Sequence, residues 1–242
     1  MSRGGKGRSR LLKQGCAYCG AQATTLDHIP PKGFFIEPYG TLLKVPSCAA
    51  CNNGASDDDE WVRNDLVLID KNAEHPSANH LVGSAYRALS MPEKKKMRDA
   101  FLQTVQRQEA RTEGGLYVPV TTFFLHAEPM RRVVSRIAKG LYWHHHGQDR
   151  LPDGYIASGF PVDEAIKSDR EKTESWVAML LGQEKFTLGN HGEFSYSFRA
   201  LLDDDPHVTL WLLVFYGRFG IIALTHKAPN DEDPGRQESG IP

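Results

Sequence analysis

All four cysteines of this 242-residue chain fall into two Cys-x-x-Cys pairs, Cys16/Cys19 and Cys48/Cys51. Each such turn aims two thiols at one point, and two turns together supply the four soft ligands that a tetrahedral structural zinc takes. Gly15 and Gly20 flank the first turn and relieve its crowding. Residues 16–58 are rich in Gly, Pro and Asn and carry only short apolar runs. Such a stretch buries too little surface to fold unaided and needs a staple. A redox role would need one pair set in a βαβ pattern, which the sequence lacks. No basic-then-apolar leader opens the chain, and its longest apolar run, residues 208–216, is about half a membrane span. The expectation is a cytoplasmic protein with no membrane partner, where thiols ligate metal rather than form disulfides.

The net charge of −1 hides an asymmetry. Residues 1–50 hold seven Lys and Arg against Asp27 and Glu37, a local charge of +5. Arg3, Lys6, Arg8, Arg10, Lys13 and Lys32 are the candidate phosphate contacts, five of them in the Gly/Ser-rich first thirteen residues. The other end, residues 227–242, is polar and acidic and reads as a disordered tail.

The pattern between these ends predicts an α+β chain. Residues 1–10 are the arm and 11–70 the cysteine unit. There Ser56 reads as the N-cap of a helix running from about Asp59 to Leu68. Residues 71–114 form a helical connector with helices over 77–89 and 91–111, the second opened by Ser90 and Pro92 and closed by Gly114-Gly115. Residues 115–226 form a C-terminal α+β domain with an antiparallel sheet. Its signals are a β-rich 116–126, a helical stripe at Met130, Val133, Val134, Ile137, Ala138 and Leu141, and an alternating Phe194, Tyr196 and Phe198. An almost wholly apolar 208–216 then reads as a central strand, turning at Gly217-Arg218.

The residues between the cysteine pairs carry chemistry. Asp27-His28-Ile29-Pro30-Pro31 follows Cys19, and Asn52-Asn53 follows Cys51 directly. A zinc staple brings that carboxylate, imidazole and amide together. Asp and Asn offer hard oxygen ligands to a divalent cation such as Mg²⁺, and a His held off the metal deprotonates water. That set suits metal-assisted phosphodiester hydrolysis.

Cys16-x2-Cys19, Asp27-His28-Ile29-x-Pro31 and Cys48-x2-Cys51-Asn52, continued by Ser56-x2-Asp59-Glu60-Trp61-x-Arg63, resemble the zinc-stapled branch of the HNH endonucleases. The resemblance covers residues 16–63. It implies a ββα-metal unit, two short antiparallel strands and a helix. In it Asp27 ligates a catalytic Mg²⁺ or Mn²⁺, His28 is the general base, and Asn52 is a ligand or positioning residue. The implied substrate is DNA, nicked by one site or cut through by a dimer. The middle Asn of the family name is missing, with Thr41 or the backbone of the Tyr39–Thr41 turn in its place. Bacterial proteins of this kind often serve anti-phage defence or mobile elements, and the resemblance carries that expectation.

The alternative is a zinc-ribbon module that binds DNA or protein without cutting it. The C-terminal domain is then, as in the enzyme, the expected surface for a homodimer or a partner protein. Elsewhere, His144-His145-His146 reads as a helix C-terminus favouring cations. Arg132, Arg136 and Lys139 share one helix face, expected to be solvated or to track a duplex. Asp57 to Glu60 reads as compensation of a helix dipole.

Overall fold

The computed structural model describes residues 9–229 as a mixed α and β structure whose sheets are antiparallel throughout. A first hairpin pairs β1 (Thr25–Ile29) with β2 (Leu43–Ser47), setting Asp27 opposite Val45 and His28 opposite Lys44. The chain then turns through Cys48 into α1 (Ala49–Asn53) and α2 (Ser56–Leu68). Ala55, not Ser56, is the N-cap of α2; Ser56 begins the helix and donates its hydroxyl to Asn53 O at 3.1 Å. Asp57, Asp58 and Asp59 occupy the first turn, where the dipole favours acids.

Helix α3 (Pro76–Ser90) starts with Pro at its first position and matches the expected span. Ser90, expected to open the next helix, instead closes α3, donating to Tyr86 O at 2.8 Å. The next helix, α4 (Lys95–Thr104), is shorter than the 91–111 expected. It ends at Thr104, and β3 (Gln106–Arg111) pairs with β4 (Tyr117–Thr122) in a separate two-stranded ribbon. Gln, Arg, Glu and Ala are helix formers, so propensity misleads here. The β-branched and aromatic content of 117–122, with Gly115 at a φ of 83° in the turn, decides for the strand.

Helix α5 (Ala127–His145) is the central support, and every residue of the expected apolar stripe is buried. Beyond it come β5 (Tyr155–Pro161), α6 (Val162–Ser168), α7 (Arg170–Leu181), β6 (Phe186–Leu188), β7 (Phe194–Ala200), β8 (Thr209–Phe215) and β9 (Phe219–Lys227). The five strands form one sheet in the order β5-β9-β8-β7-β6. Strand β8 sits in the middle, which explains its unbroken apolar run. Trp211, Leu213 and Phe215 pack in the core that includes α5, whereas Leu210 and Leu212 pack with Leu180 of α7 and Ile222 of β9. The sequence signal missed β5, α6 and α7, whose mixed composition gives no clean period. Lys227 closes β9 and Ala228 donates to Gly154 O at 2.7 Å, so the sheet reaches into the stretch expected as a tail. Residues 230–242 lie outside the described residues.

One core joins the hairpin to the sheet. Ile29 and Val45 pack in the same cluster as Val62 and Leu66 of α2, Ile137 and Leu141 of α5, and Trp211 of β8. Gly140 permits a close approach of α5 to the hairpin: a Cβ there would lie 2.6 Å from Ile29 Cδ1. Among the described residues no helix is long and apolar enough to cross a membrane.

The three histidines end α5 but are not held as cations. His145 is ringed by Phe186, Tyr196, Phe198 and Trp211, and its Nε2 lies 2.9 Å from the Tyr196 hydroxyl. Burial, helped by its two histidine neighbours, pushes its pKa down to about 4. The desolvation of a charged imidazole outweighs the helix dipole here.

Two tests follow from the packing. Gly140→Ala should cost about 1–3 kcal/mol and lower the melting midpoint by several degrees. Gly83→Ala, on an exposed turn of α3, should raise stability by about 0.5–1 kcal/mol. The second test uses pH. A His whose folded pKa lies below its unfolded value leaves the unfolded chain holding more protons between the two. Stability should therefore be full above pH 6.5 and fall as pH drops towards 4, and His145→Phe should flatten that slope in thermal melts.

Candidate functional site

The four cysteine sulfurs converge, all within 4.8 Å of one another. A zinc with four sulfurs at ~2.3 Å implies sulfur separations of about 3.8 Å, and Cys19 Sγ lies 3.8 Å from Cys48 Sγ. The backbone builds each turn. Gly20, at a φ of 76°, donates to Cys16 O at 2.9 Å, and Ala17 donates to Pro46 O at 2.9 Å, tying the first turn to β2. Cys48 is the N-cap of α1, accepting at its sulfur from Cys51 N–H at 3.5 Å. That N–H draws the Cys48 thiol down to about 7, whereas burial and the neighbouring sulfurs push the Cys51 thiol up; metal binding requires each as a thiolate. The donor set fits a structural zinc.

The hairpin and the start of α2 then shape a cleft of about 500 Å³. Asp27 and His28 come from β1, Lys32 from the loop after it, Asn52 from α1, and Asp59, Glu60 and Arg63 from one face of α2. The sequence-derived trio of Asp27, His28 and Asn52 therefore meets at one place. The His28 ring makes no hydrogen bond among the described residues, and burial with the nearby Lys44 ammonium holds its pKa below the usual value. Asn52 donates its amide to Thr25 Oγ1 at 2.8 Å, which pins it to β1. No described residue donates to its Oδ1. Thr41 does not brace His28; its carbonyl accepts from Gly189 N–H at 3.2 Å.

Asp27 is more heavily engaged than the sequence indicates. It is 6% exposed, accepts from Tyr18 Oη at 2.8 Å and from His28 N–H at 2.8 Å, and has Arg136 Nε 3.4 Å from Oδ2. A carboxylate has about four lone-pair sites; the two hydrogen bonds leave one on each oxygen, and the Arg136 guanidinium lies against Oδ2 as an ion pair without a hydrogen bond from Nε. Arg136 reaches this spot from α5, is 9% exposed, and pairs at its other end with Asp59. Burial pushes the Asp59 carboxyl up to about 6, against the pull of that guanidinium. The basic face expected on α5 is divided: Arg136 is buried, whereas Arg132 is exposed and makes a bidentate pair with Asp58 at 2.7 and 2.8 Å, and Lys139 is half-exposed. Tyr18 and Arg136 were missed because nothing local in sequence ties residue 18 or 136 to residue 27. The one available signal was an arginine on the helix otherwise supplying the core.

Among the candidate phosphate contacts, Lys32 lines the cleft, its ammonium 4.2 Å from the centre of the Tyr39 ring. Arg10 and Lys13 are exposed but do not line it. Arg3, Lys6 and Arg8 lie outside the described residues. Arg63, not singled out before as a contact, adds a second cation to the cleft wall. A larger groove of about 780 Å³ lies across the α1–α2 segment, between Ala50, Cys51 and Asp58 and the α5 residues Arg132 and Lys139.

The cluster makes a direct prediction. Protein purified without added metal should carry one zinc per chain by elemental analysis. Cys48→Ser should carry much less and melt several degrees lower; unchanged zinc and melting in that variant would contradict the assignment. Compared with protein-family models, curated proteins and solved structures, the chain has no match in any of the three.

Proposed function

We propose that the chain is a metal-dependent endonuclease that hydrolyses DNA phosphodiesters in the His28 cleft. The observation that carries this proposal is the convergence of an imidazole, a carboxylate and an amide oxygen in one open cleft beside a four-sulfur cluster. In it the ββα-metal unit of the HNH resemblance is β1, β2 and the α1–α2 segment.

Asp27 Oδ1, through its remaining lone pair, and Asn52 Oδ1 would hold a Mg²⁺ or Mn²⁺, which keeps most of its own water shell in such sites. When bound, that ion supplies positive charge to the phosphate and the leaving oxygen. The chain's residues do the rest. Neutral His28 takes a proton from the attacking water, and its depressed pKa leaves it unprotonated at neutral pH, ready for that step. Lys32 and Arg63 set the backbone phosphates in register across the cleft mouth. Tyr18 and Arg136 hold Asp27 still, so that His28, bonded through its own N–H to that carboxylate, has a fixed position.

The second reading, a zinc module that binds without cutting, draws on the same Asp27. Two of its lone pairs take hydrogen bonds within the protein and a buried guanidinium lies against it, the pattern of a structural carboxylate. His28→Ala separates the two. With a labelled duplex and Mn²⁺ it should lower cleavage by about 100-fold or more while zinc content and duplex affinity stay as in wild type. Cleavage at the wild-type rate would remove His28 from the chemistry.

A further inference from the structure

Half of the large apolar side chains that stand exposed among the described residues lie between Leu102 and Phe124: those two with Leu116, Tyr117 and Val118. This is the stretch that leaves α4, forms the β3–β4 ribbon and enters α5. The ribbon pairs only with itself, and its residues on both faces are exposed or half-exposed. A lone two-stranded ribbon is marginal in water, and a concentration of exposed apolar groups marks an interaction surface.

The ribbon's two edges are not equivalent. Thr112 donates to Leu116 O at 2.8 Å, so that pair is hydrogen-bonded; alternation along the antiparallel register makes Arg111/Tyr117, Glu109/Pro119 and Arg107/Thr121 the non-bonded pairs. The backbone groups of those residues point outward. On β4 the central one is Pro119, with no N–H to offer, so that edge is blunted. On β3 the outward residues are Arg107, Glu109 and Arg111, each with a full donor and acceptor.

We infer that the β3 edge pairs with the β3 edge of a second copy of this chain, antiparallel about a two-fold axis, giving a four-stranded β4-β3-β3-β4 sheet. An isologous contact of this kind requires a self-complementary edge, and the alternating charges supply one. Outward residues meet only outward residues. A register centred on Glu109 opposes like charges and is disfavoured. Registers centred on Gln108 or Ala110 each set Glu109 against an arginine of the other copy, twice by symmetry. The charges that would repel an unrelated strand therefore accept this one. The joined sheet gives the exposed Tyr117 and Val118 a wider platform to pack on. This pairing stands whether or not the His28 cleft cuts DNA; if it does, the pair brings two clefts to one substrate.

Sedimentation equilibrium of the full chain tests it. Wild type, 27.0 kDa per chain, should sediment as a dimer. Glu109→Arg, which makes all three outward charges positive, should weaken the dimer by at least about tenfold. The triple variant R107E/E109R/R111E inverts every charge, keeps the complementarity, and should restore wild-type association. All three side chains are exposed, and circular dichroism with a melt checks that each variant is folded. A wild type that remains monomeric at ~100 μM, a Glu109→Arg protein that dimerises unchanged, or a triple variant that fails to recover would each overturn the proposal.

Discussion

The buried guanidinium of Arg136 holds the architecture around the cleft together. A charge taken out of water costs several kcal/mol unless opposite charges and hydrogen bonds compensate it. Arg136 finds Asp27 on β1 and Asp59 on α2, and so fixes three elements from distant parts of the chain against one another. The arrangement is reciprocal. Asp27 is itself nearly sealed from solvent; the Tyr18 hydroxyl and the His28 N–H donate to its carboxylate, and the guanidinium balances its charge. Removing one partner would strand a charge in a low-dielectric site, typically about 3–5 kcal/mol. The His28 cleft thus depends on α5, and through α5 on the whole five-stranded sheet.

The sulfur cluster works on a different length scale. It closes the turns at Cys16–Cys19 and Cys48–Cys51 around the hairpin and anchors the start of α1, where Asn52 sits. Apolar packing alone would not do this, since the turns contribute little beyond Ala17 to the core. A metal held by the four sulfurs would fix local backbone, Arg136 fixes the hairpin to the helices, and the Gly140–Ile29 approach lets α5 lie close enough for both.

How much of this was legible in sequence depended on whether the determinant was local. The cysteine pairs were legible because ligand spacing is a local property. The α5 stripe and the apolar run of β8 were legible because one helix face and one central strand each leave a periodic or continuous signal. Strand β3 was not, because Gln106 to Arg111 prefers a helix and becomes a strand only through its partner across Gly115. The triple histidine was misjudged for a related reason: its aromatic cage comes from β6, β7 and β8, which sequence position does not connect to α5. In the cleft, sequence brought together Asp27, His28 and Asn52. It could not show that the Asp27 carboxylate is held by Tyr18 and Arg136, because long-range ion pairs leave no local pattern.

The central claim is that this zinc-stapled cleft hydrolyses DNA with a second, exchangeable cation. The most direct measurement is nicking of supercoiled plasmid by zinc-loaded protein after brief EDTA treatment that leaves the cysteine-held zinc in place. Adding Mg²⁺ or Mn²⁺ should convert supercoiled plasmid to nicked or linear forms, with no conversion before addition. Intact supercoiled plasmid in the presence of either ion, with DNA bound and zinc retained, would contradict the account and leave the cleft a binding site.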